Sequence, residues 1–191
     1  MKVVAFNTSA RKDGNTAILI REVFKELENQ GIQTELIQLA QEKIIGCINC
    51  GKCFINKDKK CAISNDLINK CIEKMDQADG IIIGTPTYFA DCTASAKALI
   101  ERAGMVGRAN DNMFKRKIGS AVVAVRRGGA IHAFDSINHF FTIEEMIIVG
   151  ATYWNIGIGR EAKAVESDQE GLDTMKSLGK NMAWLLQKVS K

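Results

Sequence analysis

Four of the six cysteines lie in one short segment, separated by two, two and seven residues. A [4Fe-4S] cubane offers one thiolate site on each of four irons, and spacings of two residues let a short loop wrap around it. Gly46 and Gly51 make that wrapping easier. The pattern therefore predicts a metal centre, and in particular a [4Fe-4S] cluster, with the ligands Cys47, Cys50, Cys53 and Cys61.

Two other interpretations of these cysteines remain open. Four thiolates also fit a closed tetrahedral zinc site, although zinc knuckles usually come as two separated CxxC pairs. Free or regulatory thiols are the second alternative. A disulfide framework is disfavoured because the chain shows no export signal and reducing cytosol does not maintain one. The remaining cysteines, Cys71 and Cys92, are predicted to be packed apolar residues.

A second polar segment, residues 8–16, follows an apolar run at 3–6 and leads into an amphipathic stretch. The free N–H groups of a helix N-terminus, joined by hydroxyls and cations, form an anion site suited to a phosphate monoester. The alternative is an ordinary turn with Asn15 or Thr16 as the helix cap. Neither nucleotide motif fits, because no GxGxxG follows the first strand and Cys53 stands where a P-loop needs a hydroxyl.

The elements that must position these segments alternate between strand and helix. Such alternation predicts an α/β fold with a parallel sheet and helices on both faces, a three-layer sandwich. Five strands suit the flavodoxin-like order 2-1-3-4-5. We expect one domain over 1–191, with a cysteine-rich segment at 41–64. The predicted strands are 3–6, 33–39, 81–83, 118–125 and 151–154, and the predicted helices are 16–29, 65–78, 93–103, 130–149 and 168–188.

In such sheets a ligand binds outside the carboxyl ends of the strands, at the point where the strand order reverses. The loops at 7–16, 85–91 and 126–129 should therefore form the pocket. Pro86 would stiffen the second loop, and Tyr88 and Phe89 can cover an aromatic ring unless they pack in the core. Small residues in the third loop let backbone N–H groups approach a ligand, and Arg126 or Arg127 can stabilise negative charge.

The three loops together resemble the NAD(P)H-dependent FMN reductase branch of flavodoxin-like proteins. Residues 8–16 resemble its GSPRxxGNT loop, which grips the FMN phosphate, with Thr8 and Ala10 in place of the usual Gly and Pro. Residues 85–89 resemble its SPxYw loop and residues 96–102 its lKaliDR helix. The resemblance assigns no side chain as a general acid or base. It implies FMN contacts by Ser9, Arg11, Asn15, Thr16, Pro86, Thr87, Tyr88, Phe89, Arg127, Gly128 and Gly129.

The cysteine motif, placed just after the second strand, resembles that of iron-sulfur flavoproteins of anaerobes. That resemblance implies a redox protein carrying FMN and a [4Fe-4S] cluster, with a ferredoxin-type electron donor and NAD(P)H as a further donor. It also implies a homodimer or homotetramer. Two rival functions stay open. One is an NAD(P)H-dependent FMN or quinone reductase without a cluster, and the other is a noncatalytic FMN-binding or zinc-binding sensor.

Composition excludes several other classes of protein. Apolar residues make up 46% and charged residues 25% of the 191 residues, which excludes a disordered chain. The net charge of +4 is too small and dispersed to predict nucleic-acid binding. No apolar run is long enough to span a membrane, and the N-terminus turns polar too soon for a signal peptide. We therefore expect a cytoplasmic protein.

Overall fold

The computed structural model describes residues 1–39 and 41–189. Its strands run parallel in the order β2-β1-β3-β4-β5, and β6 also pairs with β4, so the predicted order 2-1-3-4-5 is confirmed. The strands are β1 Lys2–Asn7, β2 Gln33–Gln38, β3 Gly80–Pro86, β4 Ile118–Val125, β5 Ile147–Ile148 and β6 Ile156–Ile158. The helices are α1 Asn15–Asn29, α2 Lys52–Asn56, α3 Ile68–Gln77, α4 Ala94–Ala109, α5 Ala130–Ile143 and α6 Gln169–Val189.

The central strands are buried on both faces, which explains why their sequences are continuous apolar runs rather than alternating ones. One apolar cluster packs β3 and β4 against α3, α4 and α5, and the other packs them against α1 and α6. The edge strand β2 is half-exposed, and its Glu35 forms ion pairs with Lys2 and Lys74. The two layers of helices thus leave the carboxyl ends of the central strands free for loops.

The predicted fifth strand at 151–154 is wrong in its position. Two short strands, β5 and β6, take its place beside β4. β5 pairs with the start of β4 and β6 pairs with its end, and the chain between them leaves the sheet. The side chain of Asn155 explains the break, because its Nδ2 donates to Ser120 Oγ and to Ala121 O, both at 3.0 Å. A side-chain amide therefore pairs with the middle of β4, where a continuous fifth strand would have supplied backbone groups.

Glu144, just after α5, is a buried carboxyl without a hydrogen-bond partner in the described residues. It packs against α4, where a Cβ at Gly107 would lie 2.7 Å from Glu144 Oε2. Burial raises the pKa of Glu144 to about 7, although the charge of Arg108 opposes that rise. Glu144 is therefore neutral in weakly acidic solution and becomes a buried anion near pH 7.

Replacing Glu144 with glutamine should remove a pH-dependent loss of stability. The unfolded carboxyl ionises near pH 4.5 and the folded one near pH 7, so wild-type stability falls as pH rises through this window. The difference between the two pKa values corresponds to a decrease of about 3 kcal/mol in the free energy of unfolding. We expect urea unfolding at pH 5 and pH 8 to show this slope in the wild type and not in Glu144→Gln.

The neighbouring residue provides the control for this experiment. Glu145 is exposed, and its hydrogen bond from Lys115 lowers its pKa, so Glu145→Gln should keep the loss of stability between pH 5 and pH 8. Equal slopes for Glu144→Gln and the wild type would contradict the assignment.

No helix in the described ranges is long and apolar enough to cross a membrane.

Candidate functional site

The loops that follow β1, β3, β4 and β6 enclose a cleft of about 190 Å³ at the carboxyl edge of the sheet. Seven of the eleven residues predicted to bind FMN line it. The cleft is lined by Ser9, Arg11, Asn15, Thr16, Pro86, Thr87, Tyr88, Ala124, Val125, Arg126, Gly159 and Arg160.

The first loop is held in place by the strands on either side of it. The N–H and hydroxyl groups of Thr8 donate to Gly84 O, both at 2.9 Å. The backbone N–H of Ser9 donates to Asn7 Oδ1, and Gln38 Nε2 donates to Ser9 O. These bonds hold the loop without a ligand, and Ser9, Arg11 and Thr16 line one cleft.

Helix α1 begins directly after this loop, and no side chain caps it. Asn15, weighed as a possible cap, instead donates through Nδ2 to Gly159 O and Glu161 O at 3.0 Å each. Thr16 lines the cleft, and its hydroxyl is buried and has no hydrogen-bond partner among the described residues. Free helix N–H groups beside an unpartnered hydroxyl are what a phosphate monoester needs, so these residues fit the FMN phosphate.

The second and third loops contribute unequally to the cleft. Thr87, whose hydroxyl is also buried without a partner, and half-exposed Tyr88 line it. Phe89 is fully exposed at a φ of +50° and is not among the lining residues. A Cβ at Gly129 would lie 2.8 Å from Ala90 Cα, so glycine lets the third loop pack against the second.

In the third loop, Arg126 lines the cleft, but the three residues that were predicted to bind FMN there do not. Arg127, Gly128 and Gly129 are exposed and stand outside the lining set. Their FMN contacts, like that of Phe89, stay a prediction.

Sequence reasoning did not find Gly159 and Arg160, which line the cleft after β6. A Cβ at Gly159 would lie 2.7 Å from the backbone N of Val165 and 2.8 Å from Asn15 Nδ2. Both residues directly follow β6, and loops after strands were expected to form the pocket. They were missed because the last strand was predicted at 151–154, too far from them.

The four cysteines of the 41–64 segment line a second, separate cavity. The segment lies against α4, and the short helix α2 within it was not predicted. Two of the sulfurs accept hydrogen bonds, Cys47 Sγ from Asn49 N at 3.4 Å and Cys61 Sγ from Arg102 Nε at 3.3 Å. Burial raises the pKa of the Cys53 thiol.

The four cysteines of this cavity are the type of ligand that an iron-sulfur cluster needs. Four cysteines from a short loop line one cavity, and N–H donors reach two of the sulfurs, a kind of contact that tunes the potential of iron-sulfur clusters. Gly51, at a φ of +68°, lets the chain turn between Cys50 and Cys53. In the part of the chain that the structure describes, no three His, Cys, Asp or Glu side chains are close enough to share one metal ion. Cluster ligation therefore stays a prediction.

The strand order, with a cleft at the carboxyl edge of the sheet, defines a protein of the flavodoxin-like class. A profile of NADPH-dependent FMN reductases matches residues 1–161. The chain belongs to this family, and it is a flavin redox protein and an oxidoreductase.

Individual relatives agree with this assignment. The chain is 36% identical to an iron-sulfur flavoprotein of Methanocaldococcus jannaschii, over 100% of both chains. It is 30% identical to an iron-sulfur flavoprotein of Methanosarcina thermophila, over 100% of this chain and 98% of the relative. Among solved structures, a WrbA-like flavodoxin of Agrobacterium tumefaciens shares the fold, with a TM-score of 0.66 at 16% identity over 98% of this chain and 97% of that one. The resemblance predicted from the loops is confirmed.

Proposed function

We propose that this protein is an electron-transfer flavoenzyme that carries FMN in the cleft and a [4Fe-4S] cluster in the cysteine cavity. The observation that carries the proposal is the presence of two separately built sites in one FMN reductase chain. One has an unpartnered hydroxyl at an uncapped helix, and the other has four cysteines around one cavity. In this proposal residues 1–191 form a single domain, with the cluster held by segment 41–64.

At the flavin site, the first loop binds the phosphate. Ser9, Thr16 and the first N–H groups of α1 would donate to its oxygens, and Arg11 would balance its charge. Pro86, Thr87 and Tyr88 would lie along the ring, with Phe89, Arg127, Gly128 and Gly129 completing the second and third loops. Bound FMN supplies the chemistry of accepting electrons singly and delivering them in pairs.

At the cluster site, Cys47, Cys50, Cys53 and Cys61 would each ligate one iron. The names of the relatives in Methanocaldococcus and Methanosarcina support this assignment. A ferredoxin-type protein is the proposed donor. Lys57 and Lys60, exposed beside the cysteines, would attract such a partner if it is acidic. We further propose that the chain works as a homodimer or homotetramer in the cytoplasm.

The test is iron, acid-labile sulfide and flavin analysis of protein prepared without oxygen, followed by anaerobic reduction. We expect four irons and one FMN per chain and reduction of the flavin by reduced ferredoxin. Iron-free protein that binds FMN after reconstitution attempts would overturn the cluster half of the proposal. Protein that binds neither group would overturn both halves.

A second candidate function is favoured by the family itself, whose members are NADPH-dependent FMN reductases. In this alternative the chain is an NAD(P)H-dependent FMN or quinone reductase without a cluster. Rapid flavin reduction by NADPH, with none by reduced ferredoxin, would support it.

A further inference from the structure

Arg102 of helix α4 connects the two ends of the cysteine segment. It is 1% exposed. Its Nε donates to Cys61 Sγ at 3.3 Å, and its Nη1 donates to Ile45 O at 3.3 Å and to Asp66. Its Nη2 donates to Ile63 O at 2.8 Å and to Asp66 Oδ1 at 3.0 Å. Each of the five guanidinium N–H groups therefore has an acceptor, and three of the acceptors belong to the cysteine segment.

Neighbouring side chains hold the same segment. Glu101 Oε2 accepts a hydrogen bond from Cys47 N at 3.1 Å, and a Cβ at Gly46 would lie only 2.7 Å from that oxygen. Asn69 Oδ1 accepts from Cys61 N at 2.8 Å, and Asn69 Nδ2 donates to Cys61 O at 2.9 Å. The positions of Cys47 and Cys61 are thus fixed by contacts that involve no metal.

A merely structural ion pair would not explain this arrangement. Asp66 already balances the charge of Arg102. Arg102 also donates to the Cys61 sulfur and to one carbonyl on each side of the four cysteines. These additional hydrogen bonds fix the shape of the segment. A cation beside a cluster ligand also has an electrostatic consequence, because the reduced cluster carries one more negative charge than the oxidised one.

We propose that Arg102 is a positioning residue that shapes the cysteine segment before metal enters and holds a positive charge against Cys61. The shaping role concerns the metal-free chain. The charge role rests on the proposed function, since it acts only when a cluster is bound.

Two variants test the shaping role. Arg102→Lys keeps the charge and loses the planar fork of donors. Arg102→Met combined with Asp66→Leu removes the buried pair without leaving a lone charge. Arg108→Met, an exposed arginine on the same helix, is the control. Trypsin is the probe, because the segment contains Lys43, Lys52, Lys57, Lys59 and Lys60.

We expect metal-free Arg102→Lys and the double variant to be cleaved within segment 41–64 at least tenfold faster than the wild type. Arg108→Met should be cleaved at the wild-type rate. Circular dichroism and FMN binding should be unchanged, which reports that the rest of the fold is intact. Wild-type cleavage rates in both Arg102 variants would overturn the shaping role, even if the wild type takes up no iron and the proposed function fails.

The charge role is tested on reconstituted protein by redox titration of the cluster. Arg102→Met with Asp66 kept removes one positive charge and the Nε–H bond to Cys61 Sγ, so the cluster of this variant should be harder to reduce by at least tenfold in the equilibrium constant, about 59 mV for one electron. The double variant, which also removes the negative charge of Asp66, should shift less, and Arg102→Lys, which keeps the charge, should lie closer to the wild type. An unchanged midpoint in Arg102→Met would overturn this half of the proposal.

Discussion

Cys50→Ser should abolish the [4Fe-4S] cluster and leave FMN binding unchanged. A serine hydroxyl is a harder and weaker ligand for cluster iron than a thiolate, so the cubane would lose one of its four thiolate attachments. Cys50 is exposed, so the substitution should alter folding stability by less than about 0.5 kcal/mol. The flavin cleft uses other loops, which are anchored to β1, β3 and α1. Iron and sulfide analysis together with flavin absorption of the same anaerobic preparation measures both results.

Cys92→Ala is the matched control for Cys50→Ser. Cys92 lies in the apolar core beyond the second loop and outside the cysteine cavity, so the control should keep its iron. Loss of flavin from folded Cys50→Ser protein would contradict the separation of the two sites. Full iron content in Cys50→Ser would contradict the proposed ligand set.

Thr16→Val should weaken FMN binding by about ten- to a hundredfold, because a hydrogen bond to a charged group contributes about 1.5–3 kcal/mol. Riboflavin, which has no phosphate, should bind both proteins equally. The hydroxyl has no partner in the described residues, so valine should not lower the free energy of unfolding of the flavin-free protein. Fluorescence titration with the two flavins and urea unfolding of the apoprotein give these three quantities.

Thr174→Val controls for the loss of a buried hydroxyl elsewhere. Thr174 lies on α6, and its hydroxyl is 3.5 Å from that of Thr152, outside the cleft. This control should leave the affinity for both flavins unchanged. An equal loss of FMN and riboflavin affinity in Thr16→Val would show that Thr16 does not act on the phosphate.

The parts of the fold that the sequence predicted correctly are those where a local pattern and the tertiary structure agree. The apolar run of β4 fits only a strand covered on both faces, and Gly31, at a φ of +72°, ends the first helical segment as expected. The position of the loop at 7–16 was predictable for a similar reason, because a polar, glycine-containing turn separates an apolar run from an amphipathic one. That this loop binds a phosphate stays a prediction.

The missed features depend on contacts between distant parts of the chain. The broken fifth strand follows from the bond between Asn155 and Ser120, which no local pattern reveals. The contact between Arg102 and Cys61 was hidden because the position of Arg102 in a helix motif does not show which distant residue lies against it. The full exposure of Phe89 was not predictable either, since it accompanies the left-handed backbone of residues 89 and 90; its contact with the flavin stays a prediction.

The division of the fifth strand into β5 and β6 bears on how copies of this chain can associate. With two and three residues, these strands present only a short, interrupted row of backbone groups along that border of the sheet. Short edge segments are poor templates for the addition of a foreign strand. The interruption therefore disfavours fibril-like growth at this border by the addition of strands.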